Sequence, residues 1–283
     1  MEHIIIPNPE RFAEIKKRII EGGAEKLHVL TDFDRTLTKA YVNGQESSTS
    51  FAQIRNGGYF GSEYIDKAQE LFAKYHPIEI DSNMSRDERA PLMMEWWIKH
   101  LDLLIKYGFN KKIVNEIASS GYINFRQGSL ELLKSLYEKN VPVIIMSAGL
   151  GDMVLENLRI KNSLYGNICP ITNLFEFDAE GKAVKSVEPI IHSMNKHEIL
   201  IPGFPIFEKI KDRKNVLLLG DTLEDIEMID GFEYDNFLKI GFFNEEKSAS
   251  GDIDLETFKK KYDVIILNDG SMDFVNELCG EII

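Results

Sequence analysis

Four short runs of the chain are almost wholly apolar and rich in β-branched residues: Leu27 to Thr31, Val141 to Met146, Val216 to Leu219 and Val264 to Leu267. Phe237 to Phe243 is a weaker fifth. Runs of this length without polar alternation, separated by helix-length stretches, predict buried parallel strands of an α/β sheet. Ahead of the first, Asn8 is placed to cap a helix over Glu10 to Glu21, with Gly22-Gly23 as its terminator. Ile171 to Val187, broken by Asp178-Ala-Glu-Gly181, predicts a hairpin projecting from the sheet.

More than 100 residues separate the first two runs, too many for one crossover helix. From Glu63 to Tyr75 the apolar positions Tyr64, Ile65, Ala68, Leu71, Phe72 and Tyr75 share one helical face. Ser85 and Glu88 have the spacing of a capping box for a second helix, which Pro91 should delay or kink and which runs to Tyr107 before Gly108. Asn110 is placed to cap a third helix ending at Gly121, and the Gly-rich Asn56 to Gly61 reads as a loop. The expected fold is α/β. A Rossmann-like parallel sheet core with helices on both faces comprises residues 1–40 and 126–283, and a helical cap domain, residues 41–125, is inserted after the first strand. Hinges are expected near Leu37 to Val42 and Ile123 to Gly128, where the chain leaves and rejoins the core.

Composition narrows the class. The 283 residues carry 33 basic and 46 acidic side chains, a formal charge of −13. That balance speaks against a nucleic-acid polymer as partner, because such binders replace phosphate counterions with basic patches. It leaves room for a small phosphate ester held by one or two local cations. No apolar run approaches the roughly 20 residues that span a bilayer, so no membrane partner is expected. The stretch Met1 to Glu10 is short, broken by proline and lacks a small-residue cleavage site, unlike a signal peptide. Cys169 and Cys279 give neither a disulfide framework nor a metal-ligand spacing. The expectation is a cytoplasmic enzyme, with a monomer favoured.

The polar residues that follow the apolar runs carry the chemistry. The first run ends in Asp32-Phe33-Asp34-Arg35-Thr36, the second in Ser147-Ala148-Gly149, and the third in Gly220-Asp221 followed by Asp225. In open α/β sheets ligands bind at these carboxyl ends. Asp32 and Asp34 alternate about Phe33, so an extended backbone points both carboxylates the same way. Two carboxylates that close need a cation, and an oxygen-only donor set favours Mg²⁺ over Zn²⁺. A lone Gly-Asp pair means little, as Gly151-Asp152 and Gly251-Asp252 attest. Three strands in order, each delivering such residues to the same sheet edge, carry the argument.

With these residues in place the chain resembles the haloacid dehalogenase-like phosphohydrolases. Asp32-Phe-Asp34-Arg-Thr36 matches the first motif of that superfamily, Ser147 the second, Lys196 the third and Gly220-Asp221-Thr-Leu-Glu-Asp225 the fourth. Within it, the chain resembles the cytosolic 5′-nucleotidase III family, the pyrimidine and 7-methylguanosine nucleotidases. That likeness runs over most of the chain from Leu30, through Ile78-Glu79-Ile80-Asp81, Met94-Glu95-Trp96-Trp97, Ser147 to Asp152, Ile191 to His197 and Leu238 to Asn244.

The resemblance implies a Mg²⁺-dependent 5′-nucleotidase that acts on CMP, UMP or 7-methyl-GMP through an aspartyl-phosphate. It makes Asp32 the nucleophile and Asp34 the acid and base. Asp32, the backbone carbonyl of Asp34 and Asp221 become the Mg²⁺ ligands, with Asp225 and Thr36 behind them. It gives Ser147, the Ala148 amide and Lys196 to the phosphate, on the expectation that Ser147 and Ala148 lie where a strand meets a helix N-terminus. His192 and His197 are assigned to support of the site rather than to chemistry. In the cap it assigns base contact to Glu79 and places His100 where the family has a serine. Trp96 and Trp97 face about 100° apart on a helix, so one belongs to the core and the other is free to stack. Trp97, with Phe51 opposite, is the stacking candidate, and this aromatic pair looks more like the 7-methylguanosine type. Two alternatives remain at this stage: a phosphatase of the same core acting on phosphoserine or another small phosphate ester, and a binding protein that keeps only the fold. The Glu79 and Trp96-Trp97 pattern speaks against the first, and the filled catalytic positions against the second.

Overall fold

The computed structural model describes residues 3–81, 83–196, 204–230, 232–244 and 254–283. Its strands are β1 (Ile4–Ile5), β2 (Leu27–Thr31), β3 (Tyr41–Val42), β4 (Gln45–Glu46), β5 (Val143–Leu150), β6 (Ile168–Asn173), β7 (Phe175–Phe177), β8 (Ala183–Ser186), β9 (Asn215–Gly220), β10 (Asn236–Phe243) and β11 (Val264–Leu267). Seven form one sheet in the order β1-β11-β10-β9-β2-β5-β6. All neighbours are parallel except β1, which runs antiparallel to β11 at the edge.

Both faces of the sheet are covered, which explains why its strands are apolar throughout. Successive side chains on a strand alternate faces. Val29, Val143, Ile145, Leu217 and Leu219 therefore join one core, with Ile19 of α1 (Pro9–Lys26), Leu132 of α6 (Ser129–Glu138), Val154 of α7 (Gly151–Ile160) and Leu278 of α10 (Asp273–Ile282). Leu30, Ile144, Met146, Val216 and Leu218 join the other, with Ile210 of α8 (Phe207–Ile210) and Phe258 of α9 (Leu255–Lys261).

The departures from the sequence reading have local causes. Helix α1 runs past Gly22 to Lys26, with a break at Gly23 (φ 63°, ψ −172°) that lets the last turn feed β2. Strand β6 went unread because it is a half-exposed edge strand with Pro170 in its middle, the composition of a non-strand. Ile171 thus belongs to the sheet, and the projecting hairpin is the shorter β7–β8 pair. Strand β5 continues through an irregularity to Leu150.

Between β2 and β5 lie the short β3–β4 hairpin and the helices α2 (Ser50–Asn56), α3 (Ser62–Glu79), α4 (Arg86–Lys106) and α5 (Lys111–Ser119). None of their residues enters the large sheet. Helix α4 starts at Arg86 despite Pro91, because its capping box is complete: the Ser85 amide donates to Glu88 Oε2 at 2.9 Å and the Glu88 amide to Ser85 Oγ at 3.3 Å. Helices α3 and α4 pack through Tyr75 stacked on Trp96, rings 5.9 Å apart and 13° from parallel. Helix α5 lies instead against α7, and the β8 end of the hairpin bonds this insert through the Ala183 amide and Phe109 carbonyl at 2.9 Å.

The two crossing segments pair with each other, Lys39 donating to the Asn124 carbonyl at 2.8 Å and the Arg126 amide to the Leu37 carbonyl at 2.9 Å. Arg126 is buried there over the Phe242 ring. Its guanidinium donates to the carbonyls of Arg35 (2.5 Å), Thr36 (2.9 Å) and Gly270 (2.6 Å) and to Asn244 Oδ1 (3.0 Å). It also pairs at 3.0 Å with Asp269, whose Oδ1 accepts from the Ala40 amide. Arg126→Met would keep the apolar contact but strand these acceptors and a carboxylate. Unfolding in urea should show a loss of about 3 kcal/mol or more; a loss under about 1 kcal/mol would mean that water replaces the fan.

Candidate active site

The sheet order places β2 between β5 and β9, so the three ends singled out in the sequence are adjacent. On either side of β2 the chain proceeds in opposite directions, the topology that opens a crevice at strand ends. The Asp32 amide extends the β2–β9 ladder by donating to the Leu219 carbonyl at 3.0 Å. The chain then turns at Arg35 with φ 62°, a left-handed conformation that costs a non-glycine residue about 1 kcal/mol or more. Three bonds hold it: Arg126 and Asn244 Nδ2 (3.1 Å) reach its carbonyl, and its amide reaches Thr38 Oγ1 at 2.9 Å.

Asp32, Asp221 and Asp225 offer oxygens within 4.8 Å of one another. Lys196 Nζ donates to Asp32 Oδ1 at 2.5 Å and Asp225 Oδ1 at 3.1 Å. Asp225 Oδ2 accepts from the amides of Asp221 (3.1 Å) and Thr222 (3.0 Å) and from Thr222 Oγ1 (2.9 Å). Asp225 thus shapes the loop through Oδ2 and takes Lys196 on Oδ1, from its place on the 3₁₀ turn Glu224–Ile229. Gly220 is required here, since a Cβ would lie 2.5 Å from Asp225 Cβ. Thr36 Oγ1 stands 3.4 Å behind Asp221 Oδ1. Burial raises the pKa of Asp32 well above the carboxylate range despite Lys196, and burial with Asp225 raises that of Asp221. Burial works against the Lys196 ammonium, but Asp225 and Asp32 outweigh it, and its pKa is raised. One lysine for three clustered carboxylates leaves negative charge uncompensated, and an all-oxygen donor set fits a hard divalent cation.

Lys196 reaches this point from a turn braced by its own residues. The His192 amide donates to Asn195 Oδ1 at 2.7 Å and Asn195 Nδ2 to the Ile190 carbonyl at 2.9 Å. His192 therefore shapes the turn; His197 lies outside the described residues. From α4, Arg86 adds two bonds to the Met194 carbonyl (3.1 and 2.6 Å).

Ser147 and Ala148 lie on β5 shortly before its end at Leu150, where it passes directly into α7 at Gly151. Ser147 Oγ accepts from the Gly149 amide at 3.1 Å, and Asn173 Nδ2 holds the Ala148 and Gly149 carbonyls at 2.9 and 3.2 Å. A Cβ on Gly149 would meet Ser50 Oγ at 2.9 Å, Ser147 Oγ at 3.2 Å and Asp34 Oδ2 at 3.4 Å, so these hydroxyls and the Asp34 carboxyl crowd one spot. Burial raises the Asp34 pKa, opposed by Lys196 and Arg35. A raised pKa suits a carboxyl to donate a proton.

These groups floor a cavity of about 950 Å³ whose far wall comes from the insert. Glu79, Trp97, His100 and Phe51 all line it. Phe51 does not face Trp97 in parallel: the rings are 6.3 Å apart at 87°, and Phe51 instead overlaps His100 at 4.5 Å and 31°. Trp97 Nε1 donates to the Ala148 carbonyl at 2.7 Å, tying α4 to the end of β5. Trp96 is the core member of its pair. Burial raises the Glu79 pKa. The sequence reading missed Arg55, His76 and Arg89, which line the same cavity. Arg55 was hidden because α2 was not predicted; once Ser50–Asn56 is a helix, Phe51 and Arg55 are one turn apart on one face.

A family model described as pyrimidine 5′-nucleotidase (UMPH-1) matches residues 35–283. The 7-methylguanosine phosphate-specific 5′-nucleotidase of Gallus gallus is 34% identical over 272 residues, covering 96% of this chain and 93% of the relative. Its Homo sapiens counterpart is 30% identical over 281 residues, covering 99% and 92%. A crystal structure of cytosolic 5′-nucleotidase IIIB bound to cytidine superposes with a TM-score of 0.89 at 26% identity, covering 100% of this chain and 94% of that one.

His100 gives a test of this wall by stability alone. Burial, with Arg55 nearby, lowers its pKa from 6.5 to about 4. The unfolded chain therefore binds a proton that the folded chain refuses, and stability falls as the pH drops from 6.5 toward 4. Between pH 7 and 4.5 the parent should lose about 2 kcal/mol more than His100→Leu in urea unfolding. Parallel pH curves for the two proteins would refute this.

Proposed function

Because the chain belongs to the pyrimidine 5′-nucleotidase (UMPH-1) family, we propose that it hydrolyses nucleoside 5′-monophosphates, CMP, UMP or 7-methyl-GMP, to nucleoside and phosphate. The observation that carries this is the joining of two parts in one cavity. A phosphate end holds Asp32, Asp34, Ser147, Lys196 and Asp221, and an aromatic end holds Phe51, Trp97 and Glu79. The aromatic end is what a phosphatase for phosphoserine would not need.

Asp32 is the nucleophile: its carboxylate attacks phosphorus in line and forms an aspartyl-phosphate. Asp34 protonates the departing 5′-oxygen, then takes a proton from the water that hydrolyses the intermediate. Ser147 Oγ and the Ala148 amide hold phosphate oxygens, while Lys196 offsets the charge that builds on the phosphoryl group. Asp225 fixes the Asp221 loop and Thr36 steadies Asp221 from behind. Asp32, the Asp34 backbone carbonyl and Asp221 would hold Mg²⁺, which neutralises phosphate charge when bound.

Residues 41–125 act as the cap that confers specificity and residues 1–40 and 126–283 as the catalytic core, since the core can grip only the phosphate. Within the cap, Glu79 accepts from N–H groups of the base and Trp97 stacks on it, with Phe51 and His100 completing the wall. Among the described residues no helix is long and apolar enough to cross a membrane. The protein acts in the cytoplasm on a small-molecule nucleotide, as a monomer.

Phosphate release from CMP, UMP, 7-methyl-GMP and phosphoserine, each with Mg²⁺ and with chelator, tests the function. Nucleotides should lead in kcat/KM, turnover should vanish with chelator, and Asp32→Asn should lower kcat by about 10³-fold or more. Persistent release from Asp32→Asn, or a lead for phosphoserine, would sink the assignment. Glu79→Ala should cost nucleotides about 10-fold or more in kcat/KM relative to a small aryl phosphate; equal losses on both would remove Glu79 from base recognition.

A further inference from the structure

Helices α2 and α4 each bring an aromatic and a basic side chain to the base end of the cavity. Phe51 and Arg55 are four residues apart on α2, and Trp97 and His100 three apart on α4, so each pair shares a helix face. His100 is buried, overlaps Phe51, and has its Nε2 without a hydrogen-bond partner. Arg55 lines the cavity with its guanidinium 4.5 Å from the Phe72 ring centroid, and its buried Nε also has no partner. Among the described residues no carboxylate forms an ion pair with it. A half-buried guanidinium without a counter-charge keeps part of its field, because no anion cancels it and water screens it only in part.

The consequence concerns the charge of the base. The 7-methylguanine ring is a cation, whereas cytosine and uracil are neutral and offer carbonyl or ring-nitrogen acceptors. We propose that Arg55, beside the buried His100, determines base selectivity by turning away the cationic 7-methylguanine ring and favouring a neutral base with acceptor atoms. The proposal rests on the nucleotidase reading and deepens it. Glu79 is the group that would attract a cationic ring. It stands at the end of α3, where the Arg89 guanidinium donates to its carbonyl at 2.6 Å; burial disfavours its ionised form, and the positive charges of His76 and Arg89 that favour that form also offset its field. Arg55 is not among the groups bonded to Asp32, Asp221 or Asp225, so its proposed role is towards the base rather than in phosphoryl transfer. The overlap of Phe51 with His100 points the same way, since a ring already engaged on one side is not a preformed clamp for a purine.

The test is the ratio of kcat/KM for CMP to that for 7-methyl-GMP in the parent, Arg55→Met, Arg55→Gln and Arg55→Lys. A ratio within one protein is insensitive to a general loss of active enzyme. The parent should favour CMP. Arg55→Met and Arg55→Gln should each lower the ratio by about tenfold, the size of one partly screened charge interaction of ~1.4 kcal/mol, and Arg55→Lys should hold it within about twofold. If Arg55→Met does not fold, Arg55→Gln supplies the comparison. A parent that favours 7-methyl-GMP, or neutral variants whose ratio matches the parent's, would overturn the proposal while leaving the nucleotidase intact. Hydrolysis of an aryl phosphate with no nucleotide turned over would overturn the nucleotidase reading and this proposal with it.

Discussion

Asp32, Asp221 and Asp225 stand side by side where water is scarce, and three such carboxylates are tolerable only with positive charge beside them. Lys196 supplies part of it, from a turn that Asn195 and His192 brace internally and Arg86 pins from α4. Arg86 also pairs at 2.6 Å with Glu227 on the 3₁₀ turn that carries Asp225, so one arginine bridges the turn of the lysine and that of its partner. The remaining negative charge and the all-oxygen donor set are what fit the cluster to a divalent cation. A site built so that it is unfavourable when empty of cations binds its ligands by relieving that cost.

Holding these groups still requires a backbone that would otherwise relax. Arg35 occupies a left-handed conformation directly after Asp34, and the fan of bonds from Arg126 fastens its carbonyl and that of Thr36. Arg126 belongs to the segment by which the chain returns from the helical insert, and its partner Asp269 accepts from Ala40 on the outgoing segment. The two crossings and the catalytic loop therefore form one hydrogen-bonded unit, and displacement of the insert at these crossings is felt at Asp32 and Asp34. A salt link between Arg35 and Glu46 of β4 adds a second tie between the loop and the insert.

The wall facing the carboxylates is built on other principles. Its helices meet through aromatic contacts among Tyr75, Trp96, Phe72 and Trp97, and two bonds join it to β5: Trp97 Nε1 donates to the Ala148 carbonyl and Ser50 Oγ accepts from the Leu150 amide. The polar groups in it, Glu79, Arg55 and His100, are displayed by helices rather than by strand ends. On the proposed reading, chemistry belongs to the sheet edge and selectivity to positions on α2, α3 and α4.

How much of this was legible in the sequence follows from the range of the forces involved. Strands β2, β5, β9, β10 and β11 were readable because burial on both faces imposes an apolar run, a local signature. The helices at Ser62–Glu79, Arg86–Lys106 and Lys111–Ser119 were readable from their periodicity and caps. Asp32, Asp34, Ser147, Asp221 and Asp225 stood out because each lies at or within a few residues of the end of such an apolar run, and Lys196 and Glu79 because their surroundings resemble a family. Edge strand β6 and the short helix α2 were not legible, since Pro170 and a seven-residue length leave no local pattern, and with α2 went Arg55. Nor could the sequence turn the Phe51 ring onto His100, or gather the carbonyls of residues far apart around Arg126. By itself the sequence determined the strands, their polar ends and the chemistry those ends carry, because these depend on neighbours along the chain. Which side chains share a field, a ring face or a hydrogen-bond acceptor was decided only by the tertiary structure, because those energies depend on distance in space.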